Sequence, residues 1–242
     1  MEIQDGFILG IYNYCDRWCE TCAFTSRCRV FADIAEMEAR HDPTLKAIVD
    51  APPLAQDIPP PPPPWMRELI DEMNKIASEP IDAEELGRLE AKIPSEHESI
   101  EARAHAYSFR VHAWFESREF NSMHDPSDPR AVISWFQYSI PAKIHRALHG
   151  LAEDVPDERD WPADHDGSAK VALLGLERSH SAWLSLVDRD LASPSDIEPF
   201  VGDIIWLSDE LERIFPKARA FVRPAFDEPD EVAALLAAEG GS

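Results

Sequence analysis

The chain has 242 residues, a formal net charge of −23 and 44% hydrophobic residues, including seven Trp and eleven Phe. That is ample apolar material for a packed core and excludes disorder over most of the length. The negative field excludes nucleic acid and anionic membrane surfaces as expected partners, because their phosphates repel an acidic surface.

The opening residues, MEIQDGFILGIYNYC, carry neither a basic leader nor a cleavage site, and no long uninterrupted apolar run occurs anywhere. The expectation is a soluble protein of the cytoplasm. All four cysteines of the chain then fall in YNYCDRWCETCAFTSRC, residues 12 to 28. In a reducing compartment, cysteines this close together are expected as metal ligands or redox thiols rather than structural disulfides.

Cys15, Cys19, Cys22 and Cys28 form the pattern C-x3-C-x2-C-x5-C. Four thiolates from one short segment satisfy either tetrahedral zinc or an iron–sulfur cluster. Zinc draws its four sulfurs to within about 3.8 Å of one another, given Zn–S bonds near 2.3 Å, and usually receives them from two separated knuckles. Here no long gap divides the ligands, and a [4Fe–4S] cluster, which spaces its sulfurs more widely, is the preferred expectation; zinc is the alternative. Arg17, Arg27 and Arg29 are expected to offset the thiolate charge, and Tyr12, Tyr14, Trp18 and Phe24 to supply an apolar shell. The first three cysteines resemble the signature of radical S-adenosylmethionine enzymes. Thr21 stands where that family carries an aromatic residue, Cys28 offers a fourth ligand for the iron it leaves open, and helices replace its parallel strands, so membership is not expected.

Residues 1–50 thus read as a metal-binding segment with a helix, and 51–64, ending in six consecutive prolines, as a stiff polyproline linker. The proline run and the cysteine segment are the two candidate surfaces for a protein partner. Residues 65–220 follow as a helical body. WMRELIDEMNKIA places Met66, Leu69, Ile70, Met73 and Ile76 on one helix face, and a second helix starts from Asp82. Residues 94–120 give a long helix with the stripe Ile100, Ala104, Tyr107, Val111, Trp114 and a capping box of Ser95 and Glu98. Residues 130–152 repeat like a helix, with Pro141 expected to kink or split it. Helices over 168–190 and 196–215 follow, and residues 221–242 make an acidic tail. No alternating β-branched run bounded by hairpin turns occurs, so the fold class expected is all-α, a bundle of four or more long helices.

Chemistry outside the cysteines is thinner. Glu177/His180 and Glu38/His41 have the Glu-x-x-His spacing of di-iron helices, but two such pairs are what chance supplies in a chain this rich in glutamate. Glu101, His105 and His112 share one face of a helix, and His145 and His149 lie one turn apart on another. If those helices pack together, the imidazoles form a candidate second site, with His180 turned inward as a further member. The small residues Gly167, Ser168, Ala169, Ala172 and Gly175 permit close approach by a neighbouring helix or a flat cofactor. No nucleophile elbow, phosphate loop or dinucleotide fingerprint is present, so no reaction can be assigned. Three roles stay open: a metalloprotein with a redox, sensing or structural centre, a helical enzyme with a His/Glu-lined site and a structural zinc, and an adaptor.

Overall fold

The computed structural model describes residues 3–36, 97–118, 125–152, 164–230 and 232. The chain divides into two compact units, Met1–Ala32 with Lys92–Ser242, and Asp33–Ala91, of which residues 33–36 alone are described. The proline run, the expected helices at 65–77 and from Asp82, Ser95, the Glu38/His41 pair and nearly all of the expected tail helix lie outside the described residues.

The protein is mostly helical, as its periodicity predicts. In the first unit, α1 (Glu98–Glu116), α2 (Pro129–Ala152), α3 (Asp164–Asp188) and α4 (Pro194–Ile214) each contact the next. Helix α1 also contacts α4, so the ring of contacts closes around one core. The stripe read from α1 is the buried one: Ile100, Ala104, Tyr107, Val111 and Trp114 all face inward. Trp183 of α3 lies at the centre of this core. It stacks on Phe200 of α4 with centroids 4.3 Å apart, meets Trp114 edge-on at 5.0 Å, and donates its indole N–H to the Tyr107 hydroxyl at 3.2 Å. Burial pushes the Tyr107 phenol up to about 12, so it stays a neutral partner.

Two local expectations change. Pro141 does not split α2, which runs unbroken from Pro129 to Ala152. An internal proline costs about 3 kcal/mol, but Phe136, Ile140, Ile144 and Leu148 are all buried on both sides of it. Each of these contributes about 1.5–3 kcal/mol, so packing outweighs the break. Helix α1 begins with His97 as its N-cap residue and has no side-chain cap bond there. Helix α4 carries a capping box: the Ser193 hydroxyl accepts from Asp196 N–H, and the Asp196 carboxylate accepts from Ser193 N–H.

Among the described residues, β structure is confined to β1 (Ile3–Gln4) and β2 (Phe7–Ile8), paired antiparallel with Ile3 opposite Ile8 and Gln4 opposite Phe7. Asp5 and Gly6 form the turn, both at positive φ (52° and 82°). Asp-Gly between apolar residues, as in IQDGFI, is a strong short-range hairpin signal.

Candidate metal centre

The cysteine segment is built from three single-turn 3-10 helices, Ile11–Asn13, Cys19–Thr21 and Thr25–Arg27. Cys15 follows the first, Cys19 opens the second, and Cys22 and Cys28 are the C-cap residues of the second and third. The turns close through Cys22 N–H to Cys19 O at 3.1 Å and Cys28 N–H to Thr25 O at 3.2 Å. Between Cys15 and Cys19 the chain reverses at Arg17, a non-glycine residue in the left-handed region at φ 61°. The Asp16 carboxylate steadies this bend by accepting from Trp18 N–H at 3.1 Å. Short turns that bend repeatedly are how a 14-residue stretch, Cys15 to Cys28, aims four side chains at one place.

That place is a single pocket. Cys15, Cys19, Cys22 and Cys28 all line it, together with Ile11, Trp18, Phe24, Phe31 and Phe226. All four are free thiols at intermediate exposure. Phe24 N–H donates to Cys22 Sγ at 3.4 Å, and the Cys15 thiol donates to Tyr12 O at 3.5 Å. Burial pushes the Cys19 thiol up, and the charges of Cys15, Cys28, Cys22 and Glu20 add to this. Cys22 is also raised, first by burial and then by Cys15, Asp16 and Cys28, against the lowering bond from Phe24. Among the described residues, no three His, Cys, Asp or Glu side chains are arranged to hold a metal ion, and what the four cysteines share is the lining of one pocket.

The segment is fixed to the helical body by contacts distant in sequence. Trp18 stacks on Trp135 of α2 with centroids 5.2 Å apart, and the Trp135 indole N–H donates to Asp16 O at 2.9 Å. Lys143 donates to Asn13 O at 2.8 Å, and Arg178 of α3 pairs with Asp16 at 2.5 Å. Tyr14 packs on Phe221 at 4.7 Å, while Phe24 meets Phe226 edge-on at 5.2 Å. Phe226 is presented by a strap after α4. Asp227 ties this strap to α3 through Lys170 at 2.7 Å and is gripped by Arg223 at 2.8 Å. Phe226 lines the cysteine pocket, while Trp135 and Phe221 pack against the segment that carries it, placements that nothing in their local sequence announces.

Arg17 lines the pocket, but Arg27 donates to Gly6 O at 3.2 Å and Arg29 lies 5.3 Å over the Phe7 ring, so both engage the hairpin. The small-residue stretch of α3 is explained by packing. A Cβ built at Gly175 would stand 3.0 Å from Phe136 of α2, and one at Gly167 would strike the rings of Tyr14 and Phe221.

The candidate second site gathers only in part. Helices α1 and α2 do pack, and they bring Glu101 to His145 at 2.5 Å, with His145 and His149 rings 4.1 Å apart. His112 sits elsewhere, accepting or donating at Tyr138 OH at 3.1 Å and lying 3.4 Å from Glu116. His105 is exposed, and His180 is half-buried on α3. Glu177, its Glu-x-x-His neighbour, pairs with Arg219. The described residues thus divide these groups among separate partners.

No helix among the described residues is long and apolar enough to cross a membrane. Comparisons of the chain with protein-family models, with curated proteins and with solved structures found no match.

Proposed function

We propose that this is a cytoplasmic metalloprotein in which Cys15, Cys19, Cys22 and Cys28 bind a [4Fe–4S] cluster on an all-α bundle. The observation that carries the reading is that all four cysteines of the chain line one pocket walled by aromatic side chains. The N–H bond to Cys22 Sγ is of the kind that stabilises a metal-bound thiolate and tunes its potential. With every iron held by the protein, the cluster would supply one-electron transfer, sensing or a structural clip rather than substrate activation.

The test is anaerobic purification followed by an absorption spectrum and elemental analysis of the same sample. A broad visible band with about four irons per chain, lost in Cys15→Ser and Cys28→Ser, supports the proposal. One zinc per chain with no band would turn the centre into a structural clip. Folded protein with neither metal overturns the metalloprotein reading.

A further inference from the structure

Glu101 lies in the first turn of α1, and His149 in the last turn of α2. His145 precedes His149 by four residues, in HRALH. Four residues are little more than one helical turn, so both imidazoles stand on the same side of α2. Their ring centroids are 4.1 Å apart.

The hydrogen bonds at this place are uneven. Glu101 Oε1 lies 2.5 Å from His145 Nδ1. An ionised carboxylate can only accept, so Nδ1 carries the proton, and in the neutral ring Nε2 keeps its lone pair. Among the described residues, no hydrogen bond or ion pair reaches His145 Nε2 or either nitrogen of His149. Glu101 is half-buried, as is His149, and His145 is exposed.

Two imidazoles at i and i+4 on one helix are a chelating pair for zinc-like ions, and a carboxylate behind one of them fixes the tautomer that coordinates. With Zn–N bonds of about 2.0–2.1 Å, tetrahedral ligation sets two ring nitrogens about 3.4 Å apart. Rings as close as these reach that span by rotation about their side-chain bonds. The surroundings favour a cation: the C-terminal end of α2 is the negative end of its dipole, and the chain carries a net charge of −23.

We propose that His145 and His149 bind one divalent ion of the zinc, nickel or copper(II) class, with Glu101 as the positioning residue behind His145. The protein supplies two donors rather than three, so water completes the coordination and the affinity is moderate. This pair shares no residue with the cysteine pocket and does not require a metal there.

The probe is zinc chloride, titrated into the full-length protein by calorimetry, with imidazole 1H–15N spectra recorded at each addition. The expected result is one equivalent with a Kd of about 1–100 μM, accompanied by shifts of the His145 and His149 ring signals ahead of those of the other histidines. His145→Gln and His149→Gln, both changes to side chains that reach solvent, each remove this equivalent. Glu101→Gln keeps it but weakens it about tenfold, and the His145 nitrogen signals then show both tautomers. His105→Gln, an exposed change on α1, leaves it unchanged. Zinc held by the cysteines is read apart, because it survives His149→Gln and leaves the two imidazole signals where they were. Ring signals of His145 and His149 that stay in place up to about 1 mM zinc overturn the proposal and leave Glu101–His145 as a tie between helices only. Unchanged zinc binding in His149→Gln protein overturns it as well.

Discussion

The ring of Tyr14 occupies the space that a side chain on residue 167 would need. A Cβ at Gly167 would stand 2.6 Å from Tyr14 Cδ1 and 2.7 Å from Phe221 Cζ, distances that real contacts essentially never reach. Gly167→Ala therefore pits a helix-propensity gain of up to about 1 kcal/mol against overpacking of about 1–3 kcal/mol. Two aromatic rings give way less easily than a flexible side-chain end, so the variant is less stable by urea titration. Under the cluster proposal, the variant also loses its metal faster to a chelator than wild type does, because Tyr14 is the residue that precedes Cys15.

Gly202 offers the opposite case. It is exposed within α4, and a Cβ there meets nothing within 4 Å. Gly202→Ala is expected to stabilise the protein by about 0.5–1 kcal/mol. A thermal melt that shows no gain, or a loss, contradicts the placement of this residue on an open helix face.

Asp203 is buried on α4 and held by two arginines of α1, Arg103 at 2.9 Å and Arg110. The arginines keep substantial solvent contact, so the carboxylate is the member whose loss matters. Asp203→Asn is expected to cost about 1.5–3 kcal/mol, the range for hydrogen bonds to a charged group. Arg103→Gln is expected to cost less, because Arg110 still answers the carboxylate. Equal losses in the two variants would contradict this ordering.

The strap carrying Phe226 gives a pH signature. Burial alone would raise the Asp227 carboxyl, but hydrogen bonds and charge from Arg223 and Lys170 hold it far below the usual carboxylate range. A depressed carboxylate adds stability above its unfolded value, about 3.9 for Asp, and that stability is lost as pH falls below it. Asp227→Asn should therefore lower the melting temperature at neutral pH, by the equivalent of about 2 kcal/mol. The difference from wild type shrinks on acidification below about pH 4. A difference constant with pH would mean that the carboxylate's charge is not what secures the strap.

Trp18 lines the cysteine pocket and stacks on Trp135. Under the cluster proposal, iron and sulfide reconstitution quenches part of the tryptophan emission. Trp18→Phe removes most of that quench while leaving the visible band in place. Full quenching in the variant would place the centre elsewhere.

The helices were legible because their burial is periodic. Ile100, Ala104, Tyr107, Val111 and Trp114 point inward at the spacing that the sequence displays. The cysteines were legible as one cluster because their neighbours in sequence are also their neighbours in space. Pro141 misled because its cost is local, whereas the burial that outweighs it comes from α1 and α3. Trp135, Phe221 and Phe226 were illegible for the same reason. Each joins the cysteine segment across more than a hundred residues, and nothing in its immediate sequence announces the contact. The Asp5-Gly6 hairpin, by contrast, was written locally and simply needs the turn chemistry to be read.

Phe226 has a consequence for the order of events at the ribosome. It is separated from Cys28 by 198 positions, yet it lines the same pocket. At about 5–20 residues per second, all four cysteines are synthesised roughly 10–40 s before the residue that walls them in. During that interval the nascent thiols face solvent on one side. Under the cluster proposal, delivery of metal has its natural opening then, before the strap arrives.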